Sequence, residues 1–78
     1  MSVTAYVLIQ TEVGRAEQVA SAARGISGVI ASDNVAGPYD VIVKAESGSL
    51  DDLGKLVVSE IQKVEGITRT FTCPIVNL

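Results

Sequence analysis

Apolar positions along the chain follow two different periods in alternating segments. Residues 3–9 form a run rich in β-branched side chains, and both of its alternating faces are largely apolar, which predicts a strand covered on both sides. Between residues 16 and 26 the apolar positions are three and four apart, which predicts an amphipathic helix. Residues 29–35 and 41–46 are short apolar segments on either side of a Gly-Pro turn, and they predict two further strands.

The second half of the chain repeats the order strand, helix, strand. Ser49 stands three residues before Asp52, a spacing typical of a helix N-cap, and apolar residues continue at helical spacing to Val64. Gly66 then ends the helix, and residues 67–76 predict a long final strand. Because Pro74 has no N–H to donate, the last third of that strand is expected at a sheet edge or a bulge.

The element order is therefore β-α-β followed by β-α-β. This duplication is the ferredoxin-like arrangement, an α+β fold in which two helices cover one face of a four-stranded antiparallel sheet. No element of the pattern remains to cover the other face, where Tyr6 and Leu8 are expected to lie. The sheet of a second subunit is the simplest cover, and it would give a two-fold dimer, a dimeric α/β barrel.

Size and composition also favour association. A domain of 78 residues buries only about 60% of the surface that its unfolded chain exposes, so a lone monomer is marginal. With Cys73 as the single cysteine and no histidine, the sequence offers no disulfide and no zinc site to add stability. Since 47% of the residues are hydrophobic and 19% are charged, part of the apolar surface is expected to lie against other copies of the chain.

Charge and hydropathy argue against two classes of partner. The net charge is −3 and the six basic residues are scattered, so no basic stripe can follow a phosphate backbone and direct nucleic-acid binding is not expected. The N-terminus lacks the pattern of a signal peptide, and no apolar run approaches the roughly 20 residues of a membrane-spanning helix. A single-domain cytoplasmic protein without a membrane partner is expected.

No group of residues predicts catalysis, a metal site or a cofactor. Acid-base chemistry would fall to nine scattered acidic residues, of which Asp51 and Asp52 are better explained as stabilising charges at a helix N-terminus. Cys73 has no activating neighbour in the sequence, and we expect it to be a small buried hydrophobic residue rather than a nucleophile.

The segment 36–40 is the most unusual part of the chain. An ordinary turn accounts for Gly37 and Pro38, and Asp40 would then accept backbone hydrogen bonds. A turn does not require Tyr39, and a carboxylate directly before a buried strand is costly unless it is paired. From these residues alone, a structural role and a ligand-binding role for Tyr39 and Asp40 stay equally open.

Three threonines alternate along the final strand and are expected to present their hydroxyl groups on one face. They are Thr68, Thr70 and Thr72. Such a row is by itself typical of a solvated strand face, and it indicates a binding site only if it lies beside Tyr39 and Asp40.

The whole chain resembles the effector-binding domain of the Lrp/AsnC transcription regulators, also called the RAM domain. The resemblance is carried by the opening strand, the Gly14-Arg15 helix start, the turn Gly37-Pro38-Tyr39-Asp40 with the strand after it, and the ending from Gly66 to Thr72. It implies dimers that associate further, commonly four to a ring, with an amino-acid effector at the contacts between dimers. Carried over position by position, it implies a ligand site formed by Gly37, Tyr39, Asp40, Thr70 and Thr72.

The resemblance favours an oligomeric module that binds an amino acid or a similar small metabolite and takes part in transcriptional regulation, alone or with a full-length Lrp/AsnC regulator. Full regulators carry an N-terminal helix-turn-helix domain, and this sequence starts directly at the effector domain, so DNA binding by the chain itself is not expected. Two alternatives stay open. One is a small enzyme of the monooxygenase or isomerase type, because dimeric ferredoxin-like barrels also host these, and the other is a purely structural assembly domain.

Overall fold

The computed structural model describes residues 2–77 and contains four strands and two helices in this range. In chain order the elements are β1 (Val3–Thr11), α1 (Ala16–Arg24), β2 (Val29–Asn34), β3 (Val41–Ser47), α2 (Leu50–Leu56), a π-helical turn (Val57–Ile61) and β4 (Ile67–Pro74). The predicted order βαββαβ is confirmed. Neither helix has the length and apolar content that crossing a membrane requires.

The strands form one antiparallel sheet in the order β2-β3-β1-β4. Central strand β1 pairs Val7 with Val43 of β3 on one side and with Thr72 of β4 on the other. The prediction of a ferredoxin-like α+β fold is confirmed. β4 is an edge strand, as the missing donor of Pro74 predicts, and it ends at Pro74 rather than at residue 76.

Alternation along the central strands decides which face of the sheet is buried. Ala5, Val7 and Ile9 of β1 are fully buried. Their cross-strand partners on β3 are buried as well, because directly opposed residues lie on the same face. The remaining core residues come from β3 and the two helical segments: Val19, Ala20, Ala23, Val41, Val43, Ala45, Leu53, Val57 and Ile61. This face is therefore the helix-covered face.

The second helix begins where the N-cap pattern predicts but does not continue as a regular α-helix. Ser49 caps it, since its hydroxyl oxygen accepts the backbone N–H of Asp52 at 3.1 Å. From Val57 onward the spacing widens to that of a π-helix, and the N–H of Gln62 donates to the carbonyl of Val57 at 2.8 Å. The prediction of one uninterrupted α-helix to Val64 is therefore wrong in its last turns.

Gly66 allows the chain to enter β4. Its φ of +100° lies in the region that favours glycine. A Cβ atom at this position would lie 3.0 Å from the Cβ of Arg15 and 3.2 Å from Cγ2 of Val19. Glycine is thus required both by the backbone and by the close approach of the N-terminal end of α1.

The second face of the sheet is not covered by any helix or strand within residues 2–77, and we call it the open face. Its central side chains are Tyr6, Leu8, Gln10, Ile42, Lys44, Phe71 and Cys73. Tyr6 and Phe71 are each 42% exposed. Cys73 is also exposed, so the prediction that it is a buried hydrophobic residue is wrong in the single chain. Because Cys73 is the cross-strand partner of Tyr6, its side chain lies on the open face, away from the core.

Candidate functional site

The connection between β2 and β3 is a short turn, residues 35–40, that closes on itself. The backbone N–H of Val35 donates to the carbonyl of Asp40 at 3.0 Å. The N–H of Asp40 in turn donates to the carbonyl of Ile9 on β1 at 2.9 Å. The turn is therefore fixed against the end of the central strand rather than projecting away from the sheet.

The carboxylate of Asp40 has a partner, and this explains how a charge is accommodated directly before a buried strand. Its Oδ2 accepts the backbone N–H of Thr11 at 2.8 Å, and the contact is partly buried. Thr11 lies two residues beyond Ile9, the last residue of β1 that pairs with β3, so the regular ladder offers its N–H no partner on that side. Asp40 thus satisfies a backbone donor of β1 and ties the turn to it.

Side chains on the open face of the sheet contact the turn at Pro38 and Tyr39. The Nε2 group of Gln10 donates to the carbonyl of Pro38 at 3.1 Å. The ring of Tyr39 meets the ring of Phe71 edge to face, with centroids 5.8 Å apart and planes at 73°. The turn consequently reaches across the end of β1 to the edge strand β4.

Gly37 lies at the exposed tip of the turn with a φ of +140°, a backbone conformation that favours glycine. A Cβ atom built there would have no neighbour within 4 Å. Glycine is required here by the backbone conformation and not by crowding within the chain. Space therefore remains for another molecule to approach the turn's backbone closely.

Thr70 and Thr72 lie on the other face of the sheet from Phe71, because they pair with Ile9 and Val7 of the helix-covered face. Thr70 is half-buried, and its Oγ1 accepts a hydrogen bond from Nε2 of Gln62 at 2.9 Å. Thr72 is exposed. Within one chain, the five predicted ligand-binding residues therefore form two groups, the turn on one side and the threonines on the other.

The two groups are linked through β1 at one corner of the sheet, although they lie on different faces. Ile9, whose carbonyl holds Asp40, is the cross-strand neighbour of Thr70. Thr68 does not extend the row, because it lies at the register shift and its hydroxyl donates to the carbonyl of Gln10 at 3.1 Å. A surface cavity of about 310 Å³ opens at this corner and is lined by Gln62, Ile67, Thr68, Arg69 and Thr70.

Other surface features lie away from this corner. Cavities of about 400 and 420 Å³ run along β2 and beside the start of α2, and neither is lined by the turn or by the threonines. Among the described residues, no three His, Cys, Asp or Glu side chains are grouped so as to hold a metal ion. The corner between the turn and β4 is therefore the candidate site.

Sequence reasoning missed three residues that shape this corner. Thr11, Gln62 and Phe71 contact Asp40, Thr70 and Tyr39, respectively. No short-range pattern links these pairs, since Thr11 and Asp40 are 29 residues apart and meet only once the sheet has formed. The π-helical turn that precedes Gln62 likewise left no distinct signal in the sequence.

A ferredoxin-like sheet with a structured turn at one corner defines a small α+β domain of the ferredoxin-like class. The family model of the Lrp/AsnC ligand binding domain matches residues 4–77, and the chain belongs to this family. A similar curated protein is an uncharacterized HTH-type transcriptional regulator of Pyrococcus furiosus, 30% identical over 79 residues. The match includes 92% of this chain and 50% of that protein, so the chain spans about half the length of the curated relatives that it matches.

Solved structures show the same fold. The crystal structure of the hypothetical protein PHS023 from Pyrococcus horikoshii is 32% identical, with a TM-score of 0.88 over 97% of this chain and 92% of that chain. The feast or famine regulatory protein from M. tuberculosis, complexed with L-methionine, is 21% identical, with a TM-score of 0.81 over 97% of this chain and 51% of that one. This second likeness concerns the fold alone.

Proposed function

We propose that the protein is an amino-acid-binding regulatory module whose site lies at the corner formed by the turn and β4. The observation that supports this proposal most strongly is the turn itself, which two backbone hydrogen bonds fix and which contains both an open glycine and a carboxylate. One carboxylate oxygen of Asp40 is engaged by Thr11, and the other is available to accept the ammonium group of an amino acid. The backbone around Gly37 is open to the same ligand.

Thr70 is suited to the carboxylate end of the ligand. Because Gln62 donates to the hydroxyl oxygen of Thr70, the hydroxyl proton of Thr70 can be donated to another acceptor. A ligand carboxylate is such an acceptor, and Thr72 offers a second hydroxyl on the same face. Since Tyr39 and the threonines lie on different sides of the sheet, a ligand that contacts both groups takes them from two copies of the chain.

The proposed site also requires that copies of the chain associate. We infer that the open face packs against the same face of a second copy, because it exposes Tyr6 and Phe71 around Leu8. The dimers then associate, in a ring of four or more, and place the turn of one dimer near the threonines of another. A full-length Lrp/AsnC regulator is the other proposed partner, and its helix-turn-helix domain would supply the contact with DNA.

A thermal-shift screen against the twenty amino acids tests the proposed function, with L-methionine as the first probe because a protein of the same fold was solved with it. A ligand that binds the folded state at 100 times its Kd stabilises that state by about 2.7 kcal/mol, which is readily measured. The proposal expects selective stabilisation by one or a few amino acids.

The matched controls are the N-acetylated amino acid, which lacks the ammonium group, and the amino-acid amide, which lacks the carboxylate. Neither should stabilise the protein if both ends of the ligand are recognised. If none of the twenty amino acids raises the melting temperature, the ligand-binding proposal fails and a purely structural assembly domain is favoured.

A further inference from the structure

The ring of Phe71 links the ligand-binding turn to the open face of the sheet. Phe71 meets Tyr39 edge to face at 5.8 Å. The guanidinium carbon of Arg69 lies 5.7 Å from the same ring centroid, within the range of a cation–π contact. The ring therefore contacts both a residue of its own strand and a residue of the turn.

Phe71 itself stands outside the set of residues assigned to the ligand. Its register with Leu8 places it on the open face, whereas Thr70 and Thr72 flank it on the opposite face. At 42% exposure it is also part of the surface that a second copy would cover. A second copy that covers this end of the open face would contact the ring that in turn contacts Tyr39.

We propose that Phe71 is a positioning residue for the turn: it holds Tyr39, and through Tyr39 it sets the backbone of Gly37 and Asp40. This inference rests on the proposed function only in naming an amino acid as the ligand of the turn. The effect of Phe71 on the order of the turn can be measured without a ligand. As a consequence, packing on the open face and order in the turn are linked through one aromatic pair.

Tyr6 provides a matched control for Phe71. It is an aromatic residue on the same face with the same 42% exposure. Its ring is also approached by a cation, since Nζ of Lys44 lies 5.9 Å from its centroid. The difference is position, because Tyr6 pairs with Cys73 and Lys44, away from the turn. Replacing either ring by leucine removes a similar exposed aromatic surface, and only one replacement removes a contact with Tyr39.

Amide hydrogen exchange followed by NMR tests the proposal in the 78-residue protein as it is purified. The N–H groups of Val35 and Asp40 report on the turn, since the first donates the hydrogen bond that closes it and the second donates the one that ties it to β1. The N–H of Val43 serves as the reference for β3. In Phe71→Leu, exchange at Val35 and Asp40 should accelerate about five- to tenfold relative to Val43, which is the loss expected for one aromatic pair. Tyr6→Leu should leave this ratio within about twofold of the wild-type value.

A second variant, Phe71→Tyr, keeps the ring and should restore the wild-type ratio, which excludes a general loss of structure as the cause. Equal acceleration in Phe71→Leu and Tyr6→Leu, or unchanged exchange in Phe71→Leu, overturns the proposal. If no amino acid binds, the proposed function fails, but faster exchange in Phe71→Leu would still support the positioning role of Phe71. Conversely, normal ligand binding with unchanged exchange in Phe71→Leu would defeat only the positioning role.

Discussion

Asp40 has one observed task and one proposed task, and different substitutions can separate them. Its carboxylate accepts the N–H of Thr11 in a partly buried contact, and in the proposed function the same group binds an ammonium ion. An asparagine keeps an acceptor oxygen for Thr11 but has no charge for the ligand, whereas an alanine has neither. The two interpretations that the sequence left open are therefore compatible, because one carboxylate has two oxygens.

We predict that Asp40→Asn weakens the binding of the amino-acid ligand by about 10- to 100-fold, the equivalent of a lost charge-assisted hydrogen bond of roughly 1.5–3 kcal/mol. The melting temperature of the ligand-free protein should change little. Asp40→Ala should also destabilise the free protein by about 1–3 kcal/mol, because Thr11 loses its acceptor. Calorimetric titration beside a melting curve measures both effects. Unaltered ligand affinity in a destabilised Asp40→Asn variant would assign Asp40 to the scaffold alone.

Gly37 offers a second test at the scale of one residue, with Gly14 as its control. Both glycines have positive φ, +140° and +82°, and at neither would a Cβ atom meet a neighbour within 4 Å. Replacement by alanine should therefore destabilise the protein at both sites by about 1–3 kcal/mol, through backbone strain alone.

Only Gly37→Ala should weaken ligand binding, by about tenfold or more, since its methyl group would occupy the space above the turn. Titration of both variants at a temperature where each stays folded makes the comparison. Equal ligand affinity in the two variants would contradict a ligand contact at Gly37.

The residues of the candidate site show where sequence reasoning stops. The glycine and the carboxylate of the turn could be selected from the sequence because turn chemistry and charge burial are local arguments. Their partners Thr11 and Phe71 could not, since both contacts depend on the register of β1 and β4. The error at Cys73 has the same origin, because an apolar residue type does not tell which face of an edge strand it occupies.

At the scale of elements, two glycines should respond in opposite ways to replacement by alanine: Gly54 within α2 and Gly66 after it. Gly54 lies within the helix, and a Cβ atom there would have no neighbour within 4 Å. Gly54→Ala should therefore stabilise the protein by about 0.5–1 kcal/mol, because alanine is the better helix former.

Gly66→Ala should destabilise the protein by several times that amount, because it adds backbone strain at φ +100° and a clash with Arg15. Denaturant unfolding of both variants measures the pair. A stabilising Gly66→Ala would mean that the helix-to-strand turn does not need its left-handed backbone.

The helices and strands could be predicted where apolar residues recur regularly along the sequence. The residues at which they end were harder to predict. Ser49 marks the start of α2 correctly, because the capping pattern is local. The π-helical turn at its end was not predictable, since Leu53, Val57 and Ile61 follow a spacing that a regular helix also satisfies. The π-helical turn brings Gln62 to Thr70. The segment that the sequence predicted least well is therefore the one that reaches the candidate site.

At the scale of the whole molecule, the acidic net charge leads to a prediction about nucleic acid. The chain carries a net charge of −3, and its six basic residues are scattered along the sequence. We predict no appreciable retardation of duplex DNA by the purified protein at physiological salt, because counterion release requires several clustered cations. Electrophoretic mobility shift, with a full-length regulator of the family as the positive control, makes the measurement. Tight and salt-sensitive binding by the chain alone would require a basic surface that arises only on assembly.

The two faces of the sheet differ in a way that favours assembly. One face of the sheet is filled by the helices, and the other exposes aromatic and aliphatic side chains that a second copy can cover. The predicted ligand-binding residues lie on both sides of the sheet, so the proposed site draws on more than one chain. In the proposed function, ligand binding therefore depends on assembly.

Native mass spectrometry of the protein with the best amino acid from the thermal-shift screen is the decisive measurement, because it counts chains and ligands in the same particle. We expect masses that are even multiples of the 8.1 kDa chain, with ligand bound only to assemblies larger than a dimer. Single chains at micromolar concentration, or an amino acid bound to a single chain, would refute assembly through the open face and a ligand site shared between chains.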